Sequence, residues 1–308
     1  MSKVAWLFPG QGSQYAGMGK DLAVNFPVAR QVFEEADDAL GFKLSSLCFD
    51  GPEEDLKLTF NTQPAILTTS VAALAVVRQE TGLSPDCVAG HSLGEYSALV
   101  AAGALTLKDA VTTVRSRGTF MQEAVPVGIG AMAAMLSIDP EQLSEICQEA
   151  AQGEVVSPAN FNSPGQIVIA GHAGAVNRAI EIAKGRGFRK AMLLPVSAPF
   201  HCSLMLPAAE RLSTVLDTCT VSPMTTAVVT NVEGTPNSDA SRVRELLVAQ
   251  VCAPVRWEQS VQRMRADGIE RFIEIGPGKV LSGLVKRIDK EALLANIEDS
   301  TGLAGLAG

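Results

Sequence analysis

The stretch Cys87-Val88-Ala89-Gly90-His91-Ser92-Leu93-Gly94-Glu95 sets a short apolar run directly against a G-x-S-x-G pattern. The run reads as a strand, and the residues after it read as a helix to about residue 102 that stops at Gly103. A sharp strand-to-helix turn brings backbones together where a Cβ would clash, which is the use of the two flanking glycines. Such a turn exposes the Ser92 hydroxyl at a helix N-terminus, where the Leu93 amide is free to donate to an oxyanion. An ordinary turn serine has no need of that context, so Ser92 is read as a nucleophile.

Working outward, 4–8 reads as a buried strand, and helices are expected over 29–40 and 64–81, the latter with Pro64 at its first position. Thr106 caps a further helix to about residue 121, with Asp109 closing a capping box. This is the alternation of a mostly parallel sheet covered by helices. The middle of the chain changes character. A strand over 130–138 is followed by a helix opened at Asp139-Pro140-Glu141 and running to about 151. Strands over 155–161 and 166–170 are joined by the turn Asn162-Ser163-Pro164-Gly165, then come a helix over 175–184 and a strand over 191–196. That order is β-α-β-β-α-β, a ferredoxin-like unit. It predicts an insertion over 124–198 between the halves 1–123 and 199–308 of the larger sheet. Helices near 205–216, 241–251 and 259–266, a strand over 271–275 and a helix from Lys279 complete the expectation.

Composition bounds the function. The chain of 308 residues carries 25 Lys and Arg against 33 Asp and Glu, a formal charge of −8. Nucleic-acid binding rests on clustered cations that neutralise phosphates, so that class is excluded. With 47% apolar and 19% charged residues, the chain has the profile of a folded globular enzyme. The richest apolar stretch, 65–77, is interrupted by Thr68, Thr69 and Ser70 and falls short of the roughly 20 residues a membrane helix needs. Met1 to Gly10 is too short for a signal-peptide core, so a cytoplasmic protein starting here is expected. Six cysteines without a C-x-x-C pair are expected to be small buried hydrophobes, and three scattered histidines offer no metal site.

A serine nucleophile needs a base. His172 precedes a helix of the insertion and reads as a capping or surface residue, and His91 adjoins Ser92 but points away from it if the strand geometry persists. By elimination His201 is the base, with Cys202 facing elsewhere. No acid follows in the Ser, acid, His order of α/β-hydrolases, so another group, a backbone carbonyl among the options, must orient the imidazole. Arg117 shares a helix face with Ala110, Val114 and Met121, whereas Arg115 falls with Val111 and Gln122. An arginine on an apolar face needs an anion, either an internal carboxylate or one brought by a ligand. The loop Pro9-Gly10-Gln11-Gly12-Ser13-Gln14 follows the first strand, where α/β sites form, and Gln11 can offer its amide to an oxyanion. It is no phosphate loop, since Gly17 is followed by Met18. Gly128-Ile129-Gly130-Ala131-Met132-Ala133 fits a dinucleotide pattern but leads into a strand, and that reading is rejected.

Taken in order, the motifs resemble those of the malonyl-CoA:acyl carrier protein transacylases, acyltransferases of fatty-acid and polyketide synthesis. They run from Phe8-Pro9-Gly10-Gln11-Gly12-Ser13-Gln14 through Gly90-His91-Ser92-Leu93-Gly94-Glu95, Arg115-Ser116-Arg117-Gly118 and Met132-Ala133-Ala134. Asn160-Phe161-Asn162-Ser163-Pro164-Gly165-Gln166, Pro254-Val255-Arg256-Trp257 and Glu274-Ile275-Gly276-Pro277-Gly278-Lys279 complete the series. The resemblance implies an α/β fold: a hydrolase-like, mostly parallel sheet domain with an inserted ferredoxin-like subdomain. It implies that Ser92 is acylated with His201 as its base, that Gln11 and the Leu93 amide form the oxyanion hole, and that Arg117 holds the malonyl carboxylate. It further implies that the backbone carbonyl near Gln250 orients His201, that Phe200 crowds an α-methyl branch, and that His91, Met121, Met132, Asn160 and Asn162 lie about the pocket. Malonyl-CoA is then the substrate and the phosphopantetheine of an acyl carrier protein the acceptor, with no resident cofactor or metal. A freestanding monomer is expected, and a basic rim drawn from Arg186, Arg189, Lys190, Lys279, Lys286 and Arg287 is expected to attract both anionic partners. A serine esterase or thioesterase, and a catalytically silent docking module, are the competing readings.

Overall fold

The computed structural model describes residues 2–196 and 198–306. Ten strands appear among them: β1 (Lys3–Phe8), β2 (Cys87–Gly90), β3 (Gly130–Leu136), β4 (Val156–Ser163), β5 (Gln166–His172), β6 (Ala191–Leu193), β7 (Ala227–Val229), β8 (Pro236–Asn237), β9 (Ile269–Ile275) and β10 (Leu293–Ile297). They form two sheets. The larger has the order β10-β9-β1-β2-β7-β8, parallel throughout except for the short β8. The smaller is antiparallel with the order β4-β5-β3-β6, the split arrangement of a ferredoxin-like unit, backed by helices Pro140–Ala151 and Ala173–Gly185.

The larger sheet is buried on both faces, which is why β1 and β2 read as unbroken apolar runs. Trp6, Phe8 and Val88 pack on one side, while Ala5, Leu7 and Ala89 pack on the other. Phe8 pairs with Gly90 at the carboxyl ends of these central strands, so the loop after β1 and the turn after β2 emerge side by side. That register carries Gln11 to the neighbourhood of Ser92.

The sequence expectations hold in outline and differ in detail. The helix expected from Pro64 runs Thr59–Thr81, with Pro64 inside it. Proline has no N–H for the Phe60 carbonyl one turn back, and the Arg115 guanidinium supplies that bond instead at 2.8 Å. The full helix is long and apolar enough to cross a membrane, but 83% of its most apolar stretch is buried within the protein. The expected strand 191–196 ends at Leu193, because the chain leaves the sheet and turns toward a cavity. The 162–165 turn contracts to Pro164-Gly165, since Asn162 and Ser163 remain in β4 and Gly165 takes a φ of 69°. Strands β7, β8 and β10 were not expected; each is short and offers no clear alternation. The proposed boundary at 198 adjoins Ser197, which lies outside the described residues.

Candidate active site

The turn after β2 is a strained strand-to-helix elbow. A Cβ on Gly90 would lie 2.0 Å from the Gly94 carbonyl, and one on Gly94 would lie 2.2 Å from the Phe8 carbonyl oxygen. Neither position accepts a side chain without moving backbone. Ser92 sits at φ 53°, in the left-handed region that costs a non-glycine residue about 1–3 kcal/mol. Asn231 stabilises the bend, accepting from the Ser92 amide at 2.6 Å and donating to the Gly90 carbonyl at 2.7 Å. The amides of Gly94 and Glu95 bond to the His91 and Ser92 carbonyls. The Leu93 amide has no partner among the described residues and stands open at the head of the helix Gly94–Ala101.

Ser92 Oγ lies 2.8 Å from His201 Nε2, and His201 Nδ1 lies 2.8 Å from the Gln250 backbone oxygen. A carbonyl only accepts, so Nδ1 carries the hydrogen and Nε2 is left as the acceptor for the serine hydroxyl. The backbone carbonyl thus does what an acid does in a hydrolase triad. His201 is 3% exposed, and burial, helped by the Arg117 charge, pushes its pKa down to about 3. The imidazole is therefore neutral at any physiological pH, with Nε2 carrying no proton. Neighbouring Cys202 turns away, with Sγ 3.1 Å from the Pro199 carbonyl and its thiol pushed up to about 11 by burial. No Cys–His dyad forms.

Arg117 reaches the same point from the helix Leu107–Glu123. Its Nη1 donates to Gln63 Oε1 at 2.7 Å, and its Nη2 to Gln250 Oε1 at 2.9 Å and Ser92 Oγ at 3.1 Å. Its Nε has no partner among the described residues, and Tyr96 lies beneath it at 5.8 Å. The guanidinium is 2% exposed, yet all these partners are neutral. An internal salt bridge, the ordinary reason for such an arginine, is not formed among the described residues. Arg115 is occupied elsewhere, between Phe42, Phe60 and Asn61.

These groups face one cavity of about 120 Å³. It is lined by the sequence candidates Gln11, His91, Ser92, Leu93, Arg117, Met121, Met132, Asn160, Phe200 and His201. Gln250 lies behind His201, and Asn162 lies behind His91, its Oδ1 accepting from His91 Nε2 at 2.8 Å. His91 also packs on Trp257 at 5.7 Å, and burial lowers its pKa. Gln11 Oε1 accepts from Thr59 Oγ1 at 2.6 Å, which leaves its NH₂ as the donating end. His172 is no site residue, because its Nδ1 accepts from the Val155 amide at 2.9 Å. Sequence reasoning missed Gln63, Leu194 and Val196 in the lining and Asn231 and Glu95 behind it. Glu95 stood inside the quoted motif, but its burial next to Gln250 is a tertiary fact. Its carboxyl is pushed up to about 7 by burial, against the opposing pull of Gln250, Asn231 and Arg117.

The expected basic rim is uneven. Arg186 is held by Glu145 at 3.3 Å and Glu149 at 2.5 Å, and Lys279 lies 3.7 Å from Glu298. Arg287 bonds the Gln166 side chain, Lys286 bonds the Lys290 carbonyl, and Arg189 and Lys190 are exposed.

A family model described as an acyl transferase domain matches residues 5–304. The malonyl CoA-acyl carrier protein transacylase of Bacillus subtilis is 52% identical over 300 residues, 97% of this chain and 94% of that protein. The protein of the same name from Escherichia coli K12 is 49% identical over 304 residues, covering 99% and 98%. Among solved structures, an acyl carrier protein S-malonyltransferase from Vibrio cholerae superposes with a TM-score of 0.97 at 48% identity, covering 99% of this chain and 100% of that one. A malonyl-transacylase in complex with its type II PKS acyl-carrier protein gives 0.96 at 48% identity, with 98% of each chain covered.

Proposed function

The chain belongs to the acyl transferase family, and we propose that it moves the malonyl group of malonyl-CoA to the phosphopantetheine thiol of an acyl carrier protein, supplying fatty-acid synthesis. One observation carries this reading above the others: a buried guanidinium without a carboxylate partner, bonded to the nucleophile itself at 3.1 Å. A carboxylated acyl group on Ser92 brings the missing anion to Arg117.

In the first half-reaction Ser92 Oγ attacks the thioester carbonyl while His201 Nε2 takes its proton. The oxyanion is held by the Leu93 amide and the Gln11 side-chain NH₂. Collapse releases CoA, which leaves with the proton from His201. The carrier's thiol then gives its proton to the same nitrogen and attacks the ester, and the departing Ser92 oxygen recovers the proton. The bond lost between Ser92 and Arg117 is replaced by the malonyl carboxylate. Every step uses groups of this chain and its substrates, so the scheme needs no resident cofactor and no metal.

We further read the protein as a cytoplasmic monomer; its charge of −8 supports the lack of a nucleic-acid partner and the burial of its longest apolar helix the lack of a membrane one. The division into 1–123 with 199–308 and an inserted 124–198 is supported by the separate apolar core of the smaller sheet.

Intact-mass measurement tests the reading. Mixing with malonyl-CoA is expected to add one malonyl group, and added holo carrier protein is expected to remove it with a matching gain on the carrier. Ser92→Ala is expected to show no gain. Release of free malonate in place of transfer would turn the assignment to a thioesterase.

A further inference from the structure

The resting site poses a charge problem that the acyl-transfer scheme does not answer. Arg117 is buried, and its partners Gln63, Gln250 and Ser92 carry no charge. An unpaired buried cation is costly to keep folded. Glu95, also 2% exposed, opens the helix Gly94–Ala101, where the helix dipole favours a carboxylate. Its Oε2 accepts from Gln250 Nε2 at 2.8 Å and from the Asn231 amide at 3.0 Å. Gln250 thereby links the two charges, its NH₂ toward the carboxylate and its Oε1 toward Arg117. This orientation is forced, since a guanidinium only donates, while the carboxylate and the Ser92 carbonyl that Nε2 also reaches at 2.9 Å only accept. The amide is a dipole aligned between a cation and an anion.

We propose that Glu95 is a positioning residue whose carboxylate balances the charge of Arg117 in the empty site through the Gln250 amide, and so limits how tightly the arginine holds an incoming carboxylate. The proposal rests on Arg117 as the malonyl-binding group. From the same carboxylate, hydrogen bonds run through Gln250 and Asn231 to the backbone of the elbow and to the residue whose carbonyl holds His201. A charge change at Glu95 is thus felt by Arg117, while the acceptor oxygen alone serves the elbow.

Glu95→Gln in the full chain, compared with wild type at about pH 8.5 where the carboxyl is ionised, separates the two roles, because glutamine keeps an acceptor oxygen and loses the charge. The KM for malonyl-CoA is expected to fall about tenfold, equivalent to about 1.4 kcal/mol, while the KM for acetyl-CoA stays in place. Glu95→Asp is expected to retain the native ratio of the two. Equal loss of kcat with both substrates and an unmoved KM ratio would mean a structural acceptor only and would overturn the proposal. A stability cycle makes the test independent of substrate. The loss of Tm caused by Glu95→Gln is expected to shrink when Arg117→Gln is also present, and an undiminished loss refutes charge balance. Should the single variant not fold, recovery of folding in the double variant supports the proposal and continued failure overturns it. A failure of Arg117→Ala to alter acyl selectivity would instead strike the reading of Arg117, leaving the stability cycle to judge Glu95.

Discussion

Replacing Arg117 by alanine separates acyl selectivity from general catalysis, because the arginine makes two kinds of contact. Its bond to Ser92 Oγ at 3.1 Å exists whichever acyl group is on offer, so its loss slows malonyl and acetyl transfer alike and cancels in their ratio. The rest of its donating capacity, now held by Gln63 and Gln250, is available to a carboxylate that only the malonyl group has. A hydrogen bond to a charged group is worth about 1.5–3 kcal/mol, and a factor of ten corresponds to about 1.4 kcal/mol. The ratio of malonyl to acetyl kcat/KM is therefore expected to fall by about tenfold to about a hundredfold. The assay is the rate of acyl-enzyme formation followed by intact mass with each thioester, on wild type and variant at one ionic strength. Arg117→Lys serves as a control: a point charge without the planar fork is expected to recover part of the ratio. If Arg117→Ala slows both acyl groups equally and leaves their ratio unchanged, the arginine is a support for Ser92 and the carboxylate is recognised elsewhere.

Other outcomes follow from the same geometry. His201 is held at a pKa of about 3, far below the 6.5 of a free imidazole. Its ring resonances in NMR are expected to show no titration between pH 8 and 5, and a midpoint near 6.5 would contradict the buried, neutral base. The sign for stability follows: the unfolded histidine binds a proton that the folded one refuses, so the favourable contribution is present above pH 6.5 and is lost as pH falls toward 3. Phe200→Ala enlarges the lining beside Ser92, and its rate with an α-methyl-branched malonyl thioester is expected to rise relative to malonyl itself; an unchanged ratio would remove Phe200 from selectivity. Gly90→Ala places a methyl 2.0 Å from the Gly94 backbone, and overpacking of that kind costs about 1–3 kcal/mol. A lowered denaturation midpoint with loss of acylation is expected, and native activity would show that the elbow tolerates displacement.

The legible part of the site was the part written in local sequence. Gly90, Ser92 and Gly94 announce an elbow because a strand-to-helix turn has few chemical solutions, and Thr106 and Asp139 cap helices with side-chain bonds to residues three further on. The misread Pro64 shows the limit. Proline in a helix leaves the carbonyl one turn back without its N–H, and the group that satisfies it here, Arg115, is more than fifty residues away along the chain. Short strands such as β7 and β8 escaped for a similar reason, since β7 is defined by its pairing with β2 and β8 by its pairing with β7, not by their own pattern.

What the sequence determined by itself was the chemistry on offer: a serine at an elbow, one histidine left by elimination, and an arginine on an apolar face. It left open which anion that arginine meets and what holds the histidine. The tertiary structure supplied the histidine's partner and gave the arginine only neutral ones among the described residues. Folding brings the Gln250 carbonyl to His201 Nδ1, and surrounds Arg117 with neutral amides while the Glu95 carboxylate stops one amide short of it. The physical reason is that hydrogen-bond partners and burial are properties of a place in the fold. Residues 95, 117 and 201 acquire their pKa values, and Gln250 its bridging role, only when segments distant in sequence converge about one small cavity.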